Sequence, residues 1–132
     1  MIPADLTHQI IGGAMEVHSL LGPGFLESIY RRALIHELRL RQLPIRTELS
    51  ITIAYKGEAV GKHRLDMVVA DSVVLELKAV SGIADAHLAQ AISYLTVSRL
   101  ELALILNFGE PRLTWKRVVK SHGPQMTQIT QI

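Results

Sequence analysis

Leu6, Ile10, Ala14, Val17 and Leu21 recur three or four residues apart, with Asp5 ahead of them as an N-cap candidate, and predict a first helix. Gly22-Pro23-Gly24 must end it, because proline lacks an amide hydrogen and disfavours helical angles in the residue before it. A second stripe of Leu26, Ile29, Tyr30, Ala33, Leu34 and Leu38 predicts another helix, stopping before Pro44, with Arg31, Arg32, Arg39 and Arg41 mostly off the stripe. Beyond Pro44 the period shortens to two. Ile45, Thr47, Leu49, Ile51 and Ile53 alternate with more polar residues, and Lys56-Gly57-Glu58 supplies a turn. Val60 to Ala70 and Val73 to Val80 form a predicted hairpin across Asp71-Ser72; the branched apolar run of its second arm suits a central strand. Ser81-Gly82 breaks the pattern, and Leu88, Ala91, Ile92 and Leu95 place a third helix over Asp85 to about Arg99. Leu102 to Phe108 is a buried strand, and Gly109-Glu110-Pro111 turns the chain into a last one, Arg112 to Val119.

The order ααβββαββ predicts an α/β or α+β domain over residues 1–120, a central mixed β-sheet flanked by helices. Residues 121–132 are expected to be a polar tail that orders only against a binding partner. Nothing repeats internally, and no Gly-rich phosphate loop is present.

Within the central hairpin, Glu76 and Lys78 stand two apart in a strand and leave the same face, so Val74-Glu76-Lys78 changes from apolar to charged along one side. Whether Asp66 joins them depends on register. A two-residue turn at Asp71-Ser72 sets Asp66 opposite Leu77, away from Glu76; a three-residue loop or a bulge sets it opposite Glu76, with Cβ atoms ~5 Å apart. In the second case two carboxylates and a backbone carbonyl, that of Leu77, form a hard oxygen set suited to Mg²⁺ or Mn²⁺. Such an ion activates water and neutralises charge on a phosphodiester, and Lys78 would orient the water or stabilise developing negative charge. The plainer alternative is a Glu76–Lys78 ion pair with Asp66 merely solvated, since Glu-x-Lys is a common chance occurrence.

His87, Gln90 and Tyr94 form a polar stripe beside the apolar face of the third helix, and Glu27 lies one turn before Tyr30 at the edge of the second helix's stripe. All of them could look toward the strand ends; alternatively Glu27 pairs with Arg31 and the others make ordinary hydrogen bonds at the helix–sheet seam. Alternation places Lys62 and Arg64 on the face of Asp66, where they would meet phosphates. The six His residues are widely spaced and contain no zinc motif; His18 and His63 are the two to place near the site. Trp115, beside Lys116 and Arg117, either stacks on an unpaired base or packs.

Composition narrows the function. The 132 residues are 48% hydrophobic and 20% charged, with 14 Lys+Arg, 12 Asp+Glu and no Cys. The missing thiols exclude a disulfide framework, a zinc ribbon and thiol catalysis. No stretch approaches the ~20 apolar residues that span a bilayer, and no export signal is visible, so a cytoplasmic protein without a membrane association is expected. A net charge of +2 argues against a polycation that binds DNA by bulk charge. The surplus lies on Arg112, Lys116, Arg117 and Lys120, which a solvated strand face explains at least as well as a DNA patch, and the first is the favoured reading.

Gly24-Phe25-Leu26-Glu27-Ser28-Ile29-Tyr30 resembles the signature of the GxxExxY proteins, and Asp66 with Glu76-Leu77-Lys78 resembles the PD-(D/E)XK nuclease motif. The likeness runs from about Leu6 to Lys120 and includes Val17-His18, Leu21 to Gly24, Tyr55-Lys56-Gly57, Gln90, Tyr94-Leu95 and Asn107-Phe108-Gly109. The resemblance implies a restriction-endonuclease-like core in which Asp66 and Glu76 bind the metal and Lys78 assists hydrolysis. It also implies that Glu27 is the acidic residue on the helix before the sheet, and that Gln90 is the helical Gln of the RecB-like branch. Catalysis would then fall to Glu27, Asp66, Glu76, Lys78 and Gln90, and nucleic-acid contacts to Lys62, Arg64, Tyr94 and Lys116. The expected activity is metal-dependent phosphodiester hydrolysis, with DNA the first candidate substrate; the alternative is a non-catalytic nucleic-acid- or protein-binding module that keeps the fold. A homodimer would let so small a core engage two strands.

Overall fold

The structure, a computed structural model, describes residues 4–122 and 129–131. Its elements are α1 (Ala4–Leu21), α2 (Glu27–Leu40), β1 (Ile45–Tyr55), β2 (Glu58–Val69), β3 (Val73–Lys78), α3 (Asp85–Ser98), β4 (Leu102–Asn107), β5 (Thr114–Lys120) and β6 (Ile129–Gln131). The strands form one six-stranded sheet in chain order; β3 and β4 are parallel and every other neighbouring pair is antiparallel. The expected α+β order is present, extended by β6. Within the segment expected as a polar tail, residues 129–131 pair with Val118–Lys120 of β5. Asp5 differs from its expected role: it lies inside the first turn of α1 and accepts a hydrogen bond from Gln9 at 2.7 Å.

Two cores sandwich the sheet. Ile10, Ala14 and Val17 of α1 and Tyr30, Leu34 and Leu38 of α2 cover Val73, Leu75, Leu77, Leu102, Leu104 and Leu106 on one face. Ala91 and Leu95 of α3 cover Val74, Ala103, Ile105 and Val118 on the other. The period-two alternation of β3 and β4 is what separates these sets. Both strands are buried on both faces, as parallel neighbours flanked by helices must be.

Near the site the β1–β2 ribbon reverses its alternation. Ile45, Met67 and Val69 pack under α1 and α2, whereas Leu49, Ile51 and Leu65, of the same parity, pack under α3. The reversal falls where Glu48 adopts φ 57° and the Glu48/Asp66 pair is missing from the ladder, which shifts register again only between Ile53 and Ala54, far from the site.

At the opposite ends of β3 and β4, Gly109 passes directly over the backbone that leaves β3. A Cβ there would lie under 3.0 Å from backbone atoms of Val80 and Ala79, which cannot retreat as a flexible side chain would. Gly109→Ala is therefore expected to lower unfolding free energy by about 2–3 kcal/mol, read as a fall in urea midpoint at unchanged m-value.

Candidate active site

The loop between β2 and β3 decides the site. Ala70-Asp71-Ser72 is a three-residue connection, with Ala70 and Asp71 left-handed at φ 52° and 50°, and the register pairs Val69 with Val73, Val68 with Val74 and Met67 with Leu75. That is the odd-loop register, which carries Asp66 toward Glu76 and not toward the far side of the sheet. The ladder stops at Met67/Leu75, so the strands part just where Asp66 and Glu76 would pair next. Asp66 Oδ2 takes over from the missing backbone partner and accepts the amide of Leu77 at 3.2 Å. A fork between two strands admits side chains from both helical layers.

From the α3 side, Lys78 Nζ lies 3.3 Å from Glu76 Oε1 and donates to Gln90 Oε1 at 3.0 Å. Glu76 is only 1% exposed, and neither of its oxygens has a hydrogen bond. Burial pushes its carboxyl up to about 7; the Lys78 charge pulls the other way, while Asp66 and Glu27 add to the rise. Tyr94 meets the ring of His63 edge-on at 5.0 Å. Burial, and then the negative charges of Glu76, Asp66 and Glu27, push its phenol up to about 12, so it stays protonated at neutral pH.

From the α2 side come Glu27 and Arg31. Arg31 lies 3.4 Å from Asp66 Oδ1 and 3.8 Å from Glu27 Oε1, so the i,i+4 pair weighed for Glu27 is present but loose. Burial and then the Asp66 charge raise the Glu27 carboxyl, opposed by Lys78, Arg31 and His87. The backbone just before Glu27 is set by its neighbours in the motif. Tyr30 is buried, stacks on Phe108 at 4.8 Å, bonds to the Gly22 carbonyl and accepts the Phe25 amide, closing a loop in which Gly22 and Gly24 have φ 72° and 114°. Glycine alone takes such angles without cost. Glu27 then begins α2 facing the fork.

The remaining expected residues separate. Arg64 shares a cleft with Asp66, Arg31, Glu48 and Leu65. Lys62, two residues farther along β2 and by alternation on the side of Arg64, is exposed and lies outside that cleft. Lys116 lines a different cleft with Gly82, Ile83, Glu110, Thr114 and Trp115, and Trp115 is 38% exposed. Lys120, counted with the surface surplus, is buried and bonded to Thr96. His18 bonds to the Glu110 carbonyl at 2.9 Å and packs on Phe108, a structural post.

Two contacts were not read from the sequence. One is Arg31 as a partner of Asp66, invisible because it crosses from helix to strand. The other is Asn107, fully buried at the end of β4, whose Oδ1 accepts the Val80 amide and whose Nδ2 donates to the Val80 carbonyl, both at 3.0 Å. Together with the Phe108 amide on the Lys78 carbonyl at 2.8 Å, it fixes the strand end that presents Lys78. A lone polar residue closing an apolar strand was its signal.

Asp66 and Glu76 offer hard oxygen donors. The two buried oxygens of Glu76, whose one close donor is the Lys78 ammonium at 3.3 Å, fit a divalent cation, since a carboxylate so incompletely satisfied is costly to ionise in a protein interior. Among the described residues no three His, Asp or Glu side chains form a closed ligand set, so an ion here would keep waters.

The fold and site together are an αβα sheet sandwich that gathers acidic groups and a lysine at a fork between two strands. Residues 4–118 match the family model described as the PD-(D/E)XK nuclease superfamily, and the chain belongs to that superfamily. No curated protein and no solved structure matches it. Among the described residues no helix is long and apolar enough to cross a membrane.

Proposed function

We infer that this chain is a nuclease of the GxxExxY type, hydrolysing nucleic-acid phosphodiesters, DNA first among them, with Mg²⁺ or Mn²⁺. The observation that carries the reading is Glu76: a carboxylate 1% exposed, with two unbonded oxygens, beside Asp66 and Lys78. Asp66, Glu76 and the Leu77 carbonyl would hold the ion. Bound there, it supplies Lewis acidity and lowers the pKa of water.

The chain's own residues do the rest. Gln90 and Glu76 hold the Lys78 ammonium in place, so that it donates to the attacking water or to the phosphoryl oxygens as charge builds on them. The protonated Tyr94 phenol is a donor and never a base near neutrality, fitting it to contact a phosphate. Glu27, its carboxyl raised, accepts a proton more readily than an ordinary glutamate. A cytoplasmic homodimer is the assembly we favour for engaging two strands.

The test is a cleavage screen on single-stranded, duplex and branched substrates with Mg²⁺, Mn²⁺ or EDTA. Cleavage by the wild type with either ion, absent with EDTA and from Glu76→Ala, is expected. Equal turnover by wild type and Glu76→Ala would overturn the reading, and binding without turnover would favour a non-catalytic module.

A further inference from the structure

Among the described residues, three buried side-chain polar atoms lack a hydrogen bond: both Glu76 oxygens and Arg31 Nε. The Glu76 oxygens are accounted for above; Arg31 is not. A guanidinium bonds carboxylate or phosphate best when two N–H groups of its planar fork meet two oxygens at about 2.8 Å. Arg31 has only the looser approaches at 3.4 Å to Asp66 and 3.8 Å to Glu27. It balances their charge without using its donors.

Beside it opens a cleft of about 230 Å³, lined by Arg31, Arg64, Asp66, Glu48 and Leu65. Arg64 enters from β2, where the broken alternation at Glu48 and Asp66 turns it toward the same cleft as Arg31. Its ion pair with Glu48, at 3.3 Å, joins side chains 73% and 76% exposed, which makes it weak and readily exchanged. Two guanidiniums thus flank Asp66, each held only by a loose or exposed ion pair.

We propose that Arg31 and Arg64 form a phosphate subsite beside Asp66, gripping the backbone phosphate next to the one hydrolysed. Its ligand rests on the nuclease reading. Arg31 gives up its loose pairing with Asp66 when the strand binds, and Arg64 gives up Glu48.

The experiment is fluorescence anisotropy in EDTA, so that nothing is cleaved, with short labelled DNA and RNA strands and duplexes over a range of salt. Removing one arginine–phosphate pair should flatten the slope of log affinity against log salt by about 0.7–0.9. Arg31→Gln and Arg64→Gln are each expected to do so, with binding several-fold weaker, while Arg31→Lys keeps the slope. If Arg31→Gln does not fold, Arg64→Gln on its exposed strand carries the test.

Unchanged slopes in both glutamine variants, or no binding by the wild type, would overturn the subsite. A parallel Mg²⁺ cleavage assay separates the two ideas. Cleavage with unchanged slopes refutes the subsite and leaves the nuclease reading standing. Flattened slopes without wild-type cleavage refute the nuclease reading and retain Arg31 and Arg64 as backbone-phosphate contacts, with no neighbouring hydrolysis.

Discussion

Glu76→Gln is expected to make the ion-free protein more stable at pH 8 and to remove its stabilisation by divalent ions. The folded-state carboxyl is raised from 4.5 to about 7, so the folded chain binds the proton more tightly than the unfolded one. Stability is therefore greatest below the unfolded value and declines as pH rises through about 7. A shift of that size corresponds to about 3 kcal/mol once pH is well above the folded value. The neutral amide should recover much of it, raising Tm at pH 8 by several degrees at roughly 2–4 °C per kcal/mol, with little difference at pH 5. In the wild type Mg²⁺ or Mn²⁺ should restore what ionisation removes, by about 2.7 kcal/mol at a hundredfold excess over Kd. Melting curves with and without the ion check both halves. A Glu76→Gln variant that melts lower at pH 8 and still responds to the ion would contradict the account.

Lys78→Ala is expected to act in the opposite sense on stability and in the same sense on cleavage. Removing the ammonium leaves the buried Glu76 without its one close charge partner, lowering stability at pH 8 by on the order of 2 kcal/mol. Cleavage should fall roughly a hundred- to thousand-fold, the cost of losing one well-placed donor to developing charge. Rates under single turnover, with Tm measured on the same samples, separate the chemical loss from the structural one. Loss of cleavage with a rise in Tm would mean that Lys78 does not neutralise Glu76.

Much of this was legible from period alone. The helical stripes of α1, α2 and α3 and the two-residue alternation of β3 and β4 correspond to the faces the two cores bury. Glu76 and Lys78 stood out as charges on a strand otherwise made of apolar residues, and they do share a face. The position of Asp66 could only be posed as two registers, because one residue of loop length reverses the answer. Less legible was the reversal at Glu48, since glutamate carries no preference for the left-handed region and nothing local announces it. Lys120 looked like surface charge because composition cannot see Thr96 across the fold. Arg31 looked like the helical partner of Glu27 for the same reason: spacing along a helix is visible, and a strand 35 residues away is not.

The near-neutral total also acquires a physical meaning. Glu27, Asp66 and Glu76 gather at the fork with Lys78 and Arg31 interleaved among them, so a concentrated cluster of both signs stands behind a total near zero. Net charge averages that contrast away.

The central claim is that the fork between β2 and β3 is a hydrolytic centre, and single-turnover cleavage in Mg²⁺ of the substrate preferred in the screen tests it most directly. Wild type should cleave, while Glu76→Gln, folded by its melting curve, should give no product above the EDTA control. Cleavage by Glu76→Gln at the wild-type rate would contradict it.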